Sequence, residues 1–288
     1  MDREEIRKIP LDQLRPFRNH PFRVVDDEAM QRTVESVAQF GVLVPAIARP
    51  DPAGGYELIS GHRRLHAAEL AGLETLPVIV RELDDDAAAI AVVDANLQRE
   101  TLLPSERAFA YRMKLEAMKR QAGRPAKENY SQVGNNFGKL SSEKMAEELG
   151  TSKNQIFRFI RLTYLIPELL EMVDNKTLAF NPAVELSYLT QNEQIGFIDA
   201  MDYGQSTPSL SQAQRIKKLS QSGKLTQDVM NEIMNEEKKS ELDSVTLKQS
   251  TLQKYFPKSY TPRQMEDIII RLLEQWQKQR RRQRNAER

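Results

Sequence analysis

A short turn at residues 59–64, with the sequence ISGHRR, places two arginines and a histidine directly after a predicted strand. Residues 62–70 are predicted to form a helix, so unpaired backbone N–H groups at its start lie beside Arg63 and Arg64. A phosphate held there would gain the helix dipole, backbone donors and charge-assisted hydrogen bonds together. The turn therefore indicates a phosphate site. The alternative is that both arginines only balance the excess acid of this region.

Residues 142–161 carry the pattern of a helix-turn-helix. Ala146 is small where two helices must approach closely, and Gly150 follows four residues later, where the turn needs a permissive backbone. Ser152 and Gln155 form a capping box that begins the second helix. The shared core is predicted to contain Met145, Leu149, Ile156 and Phe159.

In such a motif the second helix enters the DNA major groove and its first turns face the base edges. Arg and Lys pair with guanine acceptors, whereas Asn and Gln pair with adenine. We expect Arg161 to contact phosphate or to be a surface charge, and Phe157 to lie in the core with Phe159. The alternative is an αα-hairpin with a solvated polar face. The predicted DNA-binding residues are Ser152, Lys153, Asn154, Gln155, Arg158 and Arg161.

The first hundred residues alternate strand and helix signals, which is typical of a small α+β domain. A helix is predicted from the acids at 26–28 to Phe40, and strands at 42–49, 56–59 and 77–80. Pro45 suggests that the first of these strands lies at a sheet edge. We place this N-terminal domain, which contains the candidate phosphate site, at residues 1–100.

Almost everything after Asp86 is predicted to be helical, and the chain is expected to be mostly α overall. A helical DNA-binding domain is placed at 101–237, with helices resuming through Leu189 and again from about Ser209. Residues 122–141 show no hydrophobic periodicity, so we interpret them as a linker or insertion. The last region, 238–288, combines a polar linker with a helix that begins at a capping box, Thr261 to Gln264.

Composition excludes several classes of protein. The 288 residues contain no cysteine, which excludes disulfide scaffolds, Cys-ligated zinc, iron–sulfur clusters and thiol catalysis. The longest apolar run, Ala87–Val93, is far below the ~18 to 20 residues of a membrane span. The N-terminus carries acids where a signal peptide needs basic residues, so we expect a cytoplasmic protein without membrane contact.

Charge is unevenly distributed along a chain whose net charge is only +1. Residues 1–100 hold 12 basic and 18 acidic residues, whereas residues 101–170 hold 12 and 7. Residues 278–288 add six basic residues and one acidic residue. This distribution favours contact between the middle of the chain and a polyanion.

The order of these motifs resembles the ParB family of chromosome and plasmid partition proteins, with a sulfiredoxin-like N-terminal domain. The resemblance extends over about residues 10–190 in the expected order. Besides the helix-turn-helix, the matching pieces are the helix after Asp26, residues 41–45 (GVLVP), 61–64 (GHRR), 67–73 (AAELAGL), 77–81 (PVIVR) and 96–100 (NLQRE).

The resemblance implies a DNA clamp: a homodimer that binds a palindromic site on double-stranded DNA, with an N-terminal domain that binds CTP and magnesium. CTP closes the dimer, slow hydrolysis reopens it, and a ParA-type ATPase moves the loaded DNA. By position, Arg63 and Arg64 resemble the phosphate-contacting arginines, and Gly61 the residue that makes room for close approach. His62 and Arg99 belong to the same motifs, and Asn96 resembles the side chain near the metal.

Three positions depart from the family pattern. The family commonly has Glu at the position of His62, Arg at that of His66, and Glu at that of Ala95. Loss of two carboxylates removes hard oxygen ligands from a magnesium–triphosphate site. We therefore expect CTP to bind while hydrolysis is at most slow, with the catalytic residues unknown. His62 is expected to donate to a phosphate oxygen, a role that weakens as the imidazole deprotonates.

Two rival functions make different demands on the sequence. A sulfiredoxin-type enzyme needs a cysteine beside the histidine-arginine turn, and the chain has none. A repressor that keeps the architecture without nucleotide switching is compatible with His62 and Ala95. The apolar face of residues 265–276 fits either dimerisation or packing on its own domain, and the basic tail from Gln279 is expected to be solvated.

Overall fold

The computed structural model describes residues 5–18, 20–99, 102–123, 134–236, 252, 255–257 and 259–286. The chain divides into two compact units, Met1–Glu236 and Glu237–Arg288. The first unit contains both the predicted N-terminal domain and the predicted helical domain. No helix among the described residues is long and apolar enough to cross a membrane.

The described residues contain one mixed sheet of five strands, which are β1 Ile6–Pro10, β2 Leu14–Pro16, β3 Ala46–Pro50, β4 Tyr56–Ser60 and β5 Thr75–Val80. Their order in the sheet is β1-β5-β3-β4-β2. The outer pairs are β1 with β5, antiparallel, and β2 with β4, parallel; β3 is antiparallel to β4 and parallel to β5.

Helices cover both faces of this sheet. Successive residues of a strand point to opposite faces, and the fully buried pair Leu58 and Ile59 in β4 shows the result. Leu58 packs in a core with residues of α1 (Glu28–Phe40) and α2 (His62–Leu70), whereas Ile59 packs in a second core with α3 (Asp85–Leu97) and α4 (Pro104–Gln121). The helices that carry the candidate nucleotide residues are thereby fixed on a rigid sheet.

The position of β3 differs from the prediction. Pro45 comes immediately before β3 rather than inside it, so the strand keeps its ladder hydrogen bonds and lies between β4 and β5. The predicted edge location is therefore wrong. The two true outer strands, β1 and β2, were not predicted because they are only five and three residues long and largely exposed.

Beyond α4 the first unit is entirely helical in its described residues. Its helices there are α5 Gly134–Glu148, α6 Lys153–Leu162, α7 Pro167–Asp174, α8 Phe180–Leu186, α9 Gln191–Gly204, α10 Leu210–Gln221 and α11 Gln227–Asn235. A large core of aliphatic residues, with Phe197 and several methionines, joins α6 to α11 and includes Ala108 of α4. The α+β domain followed by an all-α region, mostly α overall, confirms the predicted fold class.

Two helical segments were missed by the sequence pattern. Helix α5 begins at Gly134, inside the predicted linker 122–141, whose residues 124–133 lie outside the described residues. Its glycines lower helix propensity, so the local signal was weak. Helix α9 occupies part of the gap left between Leu189 and Ser209. The Thr190 and Glu193 capping box, with Thr190 N–H donating to Glu193 at 2.8 Å, was a usable signal for it.

The second unit contains α12, Pro262–Ala286. Its predicted capping box is present, because Thr261 N–H donates to Gln264 Oε1 at 2.9 Å and Gln264 N–H donates to Thr261 Oγ1 at 3.4 Å. Three apolar side chains of the helix are more than half exposed: Leu272, Leu273 and Trp276.

Candidate nucleotide and nucleic-acid sites

Gly61 begins α2 with a backbone conformation that few other residues adopt. Its φ is +107°, and a Cβ added there would lie 2.9 Å from the Cβ of Ala46 on β3. Both facts exclude a side chain at this position. The glycine is therefore required by the close approach of β4 and β3, independently of any ligand.

Arg64 anchors the loop that leads into β3. Its Nη1 donates to the carbonyl oxygens of Val44 at 2.7 Å and Pro45 at 2.6 Å. Burial lowers the pKa of Arg64. Because guanidinium has five N–H donors, this anchor still leaves Nε and Nη2 as donors for a ligand.

Arg63 is held more loosely than Arg64. Its Nη2 lies 3.4 Å from Oδ1 of Asp27, the residue that caps α1 by accepting from Met30 N–H at 2.8 Å. The hydrogen bond from Met30, followed by the contact with Arg63, lowers the pKa of Asp27. A long contact to an exposed carboxylate is weak, so Arg63 can turn to a stronger anion.

The positive charge of Arg63 acts on Arg99. Burial and, next, the charge of Arg63 lower the pKa of Arg99, while Glu106 opposes this shift. Glu106 is itself occupied, since its two carboxylate oxygens accept from Arg23 N–H at 2.8 Å and Leu103 N–H at 3.1 Å. The two guanidiniums thus share an environment that an added anion would stabilise.

His62 is buried and stacks against His20, with ring centres 3.7 Å apart. Phe17 N–H donates to its Nε2 at 3.3 Å. Burial, then the charges of His20 and Arg99, lower the pKa of His62 to about 3. The ring is therefore neutral near pH 7. We predicted that His62 donates to a phosphate and that this contact weakens as the pH rises. The predicted pH dependence is wrong, because the imidazole carries no charge to lose near pH 7.

Asn96 is buried on α3, where its Nδ2 donates to the carbonyl oxygen of Val92 at 2.8 Å. The side chain is oriented by its own helix, and its amide oxygen is of the type that magnesium prefers. Among the described residues no group of three or more His, Asp or Glu side chains could hold a metal ion. Magnesium fits here only if phosphate oxygens complete its ligand set.

The predicted helix-turn-helix corresponds to α5 and α6. Gly150 in the connection has a φ of +60°, and Ser152 caps α6 by accepting from Gln155 N–H at 3.2 Å. Met145 and Ile156 are fully buried between the helices with Ala146. These features agree with the predicted turn, cap and core.

The candidate DNA-binding side chains differ in their freedom. Ser152 and Asn154 are exposed, and Gln155 is half-buried. Nζ of Lys153 lies 3.3 Å from Oε1 of Glu143. The guanidinium carbon of Arg158 lies 5.2 Å from the ring centre of Phe180, and its Nη2 donates to Oδ1 of Asn181. The exposed side chains lie at the start of α6, and the first turns of a recognition helix are the part that meets bases.

Arg161 links α6 to the end of α8. It donates to the hydroxyl and the carbonyl oxygen of Ser187, and its guanidinium lies 3.8 Å from the ring centre of Tyr188 and 4.6 Å from that of Tyr164. These contacts hold its position along the helix. Both predicted alternatives for Arg161, a phosphate contact and a surface charge, stay predictions.

A groove of about 670 Å³ runs beside α6 and is also lined by α4. It contains basic residues that the sequence analysis did not select, Arg112 and Lys119, together with Arg158 and Arg161. Phe157 also lines it and is 39% exposed, so the predicted core location of Phe157 is wrong. The helical periodicity could have indicated this exposure. Ile156, Phe159 and Ile160 form the buried face of α6, and Phe157 does not lie on that face.

Comparison with known proteins supports one family. Residues 1–97 match the ParB N-terminal domain family. The chain is 34% identical over 179 residues to Stage 0 sporulation protein J of Bacillus subtilis, covering 62% of this chain and 56% of that protein. It thus spans little more than half the length of this relative.

Two similar solved structures are of C-terminally truncated chromosome-partitioning protein ParB from Caulobacter crescentus. The one complexed to the centromeric parS site has a TM-score of 0.42 and 24% identity, with 74% of this chain and 98% of that chain covered. The one complexed with CTP-gamma-S has a TM-score of 0.32 and 26% identity, with 69% and 99% covered.

Proposed function

Because the chain belongs to the ParB family, we propose that it is a site-specific DNA-binding protein that acts in DNA partition and responds to CTP. The observation that carries this proposal is the start of α2, where Gly61 with a φ of +107° is followed by Arg63, whose contact with Asp27 is 3.4 Å long, and by Arg64. An anion there would accept from both guanidiniums and from unpaired helix amides.

The DNA would be bound by a homodimer at a palindromic site. In this arrangement α6 enters the major groove, with Ser152, Lys153, Asn154 and Gln155 at base edges and Arg158 beside them. Arg161, fixed by Ser187, would contact a phosphate. The groove residues Arg112 and Lys119 would add backbone contacts that strengthen binding without reading sequence.

The nucleotide would be CTP, as the motif order of the N-terminal domain implies. Its phosphates would accept from Arg63, from the remaining donors of Arg64 and from Arg99, while Gly61 keeps the turn tight. Asn96 would offer its amide oxygen to a magnesium ion that arrives with the triphosphate. When bound, that ion would neutralise part of the phosphate charge.

Any CTP hydrolysis would be slow. His62, which is buried, and Ala95, which is exposed, stand where relatives of this family commonly carry carboxylates. His62 is a neutral acceptor already used by Phe17 N–H. Two carboxylates close to the turn are already engaged, Asp26 by His66 and Asp27 by Met30 N–H and Arg63, so neither is a free base to orient water. CTP would act as a ligand that favours one conformation of the dimer.

In the cell such a protein would act as a clamp that closes on DNA, with a ParA-type ATPase as partner. It would be cytoplasmic and associated with the nucleoid or a plasmid. The other candidate is a repressor that binds its site without nucleotide switching, which the loss of carboxylates at His62 and Ala95 favours.

Retention on DNA distinguishes the two functions. Duplexes that carry the bound site, either closed at both ends or with one free end, would be loaded with protein and washed at high salt, with CTP, each other nucleoside triphosphate, or none. A clamp accumulates only on closed DNA and only with CTP. Equal binding with and without CTP before the wash, with no retention after it, would establish the repressor, and no binding to any site before the wash would exclude both.

A further inference from the structure

Phe157 is an apolar side chain on the part of α6 that would meet bases. It is 39% exposed, and it follows the exposed Asn154 by one helical turn and precedes Arg158. Residues three and four apart share a helix face, so Asn154, Phe157 and Arg158 lie side by side. The buried face is occupied by Ile156, Phe159 and Ile160.

The chemistry of base edges limits what this ring can recognise. Guanine, adenine and cytosine present hydrogen-bond donors and acceptors in the major groove, whereas thymine also presents a methyl group at C5. A phenyl ring has no hydrogen-bonding group, and burial against a polar edge would leave that edge unpaired. The thymine methyl is the one complementary partner in the groove.

We propose that Phe157 determines specificity by packing against the 5-methyl group of a thymine in each half-site. This inference rests on the proposed DNA-binding function and deepens it. Asn154 and Arg158 would hydrogen-bond to the edges of the bases on either side of this thymine. The ring of Phe157 would exclude water from the space between these two polar contacts. A position with thymine would then be preferred over one with cytosine, which lacks the methyl.

The experiment starts from duplexes that the full chain selects from a random-sequence pool. In the tightest duplex each thymine of one half-site is replaced in turn by deoxyuridine, which removes only the methyl group. We expect one position at which wild-type affinity falls about fourfold, the factor for losing one buried methyl. The variant Phe157→Ala should bind thymine and deoxyuridine duplexes equally at that position, and Phe157→Leu should keep part of the preference.

Phe109→Ala is the matched control, because Phe109 is 41% exposed on α4 and lies outside the groove beside α6. It should keep the wild-type ratio of affinities. Equal wild-type affinity for thymine and deoxyuridine at every position would overturn the inference while leaving DNA binding intact. A preference that survives in Phe157→Ala would also overturn it. A pool from which the wild type selects nothing would reject the proposed function and, with it, this contact.

Discussion

The ammonium group of Lys114 lies 2.6 Å from Oδ1 of Asp94, and the same nitrogen lies 2.9 Å from Glu148. The lysine is on α4, whereas its partners are on α3 and α5. Only 3% of its side chain is exposed. One buried cation thus joins the helix that carries Asn96 to the first helix of the predicted helix-turn-helix.

Replacing Lys114 with Met should lower the free energy of unfolding by about 1–3 kcal/mol, because it leaves two carboxylates facing each other. Desolvation alone would lower the pKa of Lys114, but the bonds to Asp94 and Glu148 outweigh it and raise the pKa. Urea unfolding at pH 7 measures the loss. Arg7→Met, which breaks an exposed pair with Glu5, should cost about 0–1 kcal/mol. Equal costs for the two variants would contradict a buried bridge.

Stability should fall as the pH is lowered below about 6.5. His62 has a depressed pKa of about 3 in the folded state, so the unfolded chain binds a proton that the folded chain does not. The stabilising contribution of neutral His62 is complete above the pKa that the residue has in the unfolded chain. It is lost progressively as the pH falls toward the pKa of about 3 in the folded chain. At pH 5 the loss from this residue should be about 2 kcal/mol. Urea unfolding at pH 7 and pH 5 measures it.

The variant His62→Gln isolates this effect, because a glutamine can still accept from Phe17 N–H and does not titrate. It should show a smaller loss between pH 7 and pH 5 than the wild type. Between pH 7 and pH 8 the two proteins should respond alike. An identical pH 5 loss in both would mean that His62 is not the group responsible.

Arg63→Ala should weaken CTP binding roughly tenfold to a hundredfold, the range for a charged hydrogen bond. Its present contact with Asp27 is long and exposed, so little folding stability should be lost. Isothermal titration calorimetry gives the affinity. Arg15→Ala, an exposed arginine of the same domain that pairs with Asp51, should bind CTP like the wild type. A wild-type affinity for Arg63→Ala would place the phosphates elsewhere.

Gly61→Ala should destabilise the fold more than Gly72→Ala. Both glycines have positive φ, at +107° and +71°, so both substitutions carry a backbone cost of about 1–2 kcal/mol. Only Gly61 also meets Ala46, at 2.9 Å, whereas the space around Gly72 is open. The clash should add about 1–3 kcal/mol in thermal or urea unfolding. A difference near zero would show that β3 and β4 separate easily.

The exposed face of α12 should mediate self-association. Replacing Leu272 and Leu273 together with Glu should convert dimers into monomers, because burying two carboxylates in an apolar contact is costly. Sedimentation equilibrium of the full chain measures the mass. Gln275→Glu with Gln277→Glu adds the same charge at exposed polar positions and should leave the dimer intact. A dimeric Leu272/Leu273 variant would exclude this face.

The sequence alone allowed prediction of elements whose signals are local. Helix α1 begins after Asp27 and ends before Gly41, α2 begins after Gly61, and α6 begins after Ser152. These boundaries are predictable because caps and turns depend on residues that are close in sequence. Strands β1 and β2 were missed because their short segments are stabilised by pairing with β5 and β4, which are distant in sequence.

The candidate nucleotide site was predictable as a set of residue types, but not in its geometry. That Arg64 binds the carbonyls of Val44 and Pro45, and that His62 accepts from Phe17, depend on contacts about 20 and 45 residues apart along the chain. Lys114 was overlooked because a single lysine in a helix usually faces water. Only the assembled fold shows that this one does not.

The sheet of the first unit has consequences for how copies of this chain can meet. Its outermost strands, β1 and β2, end in Pro10 and Pro16, and proline has no N–H to donate to an added strand. Strand β2 has only three residues, so a strand from another chain could form few hydrogen bonds with it. Growth of a continuous intermolecular sheet is therefore disfavoured at both borders, which leaves helices and loops as the surfaces through which two copies could meet.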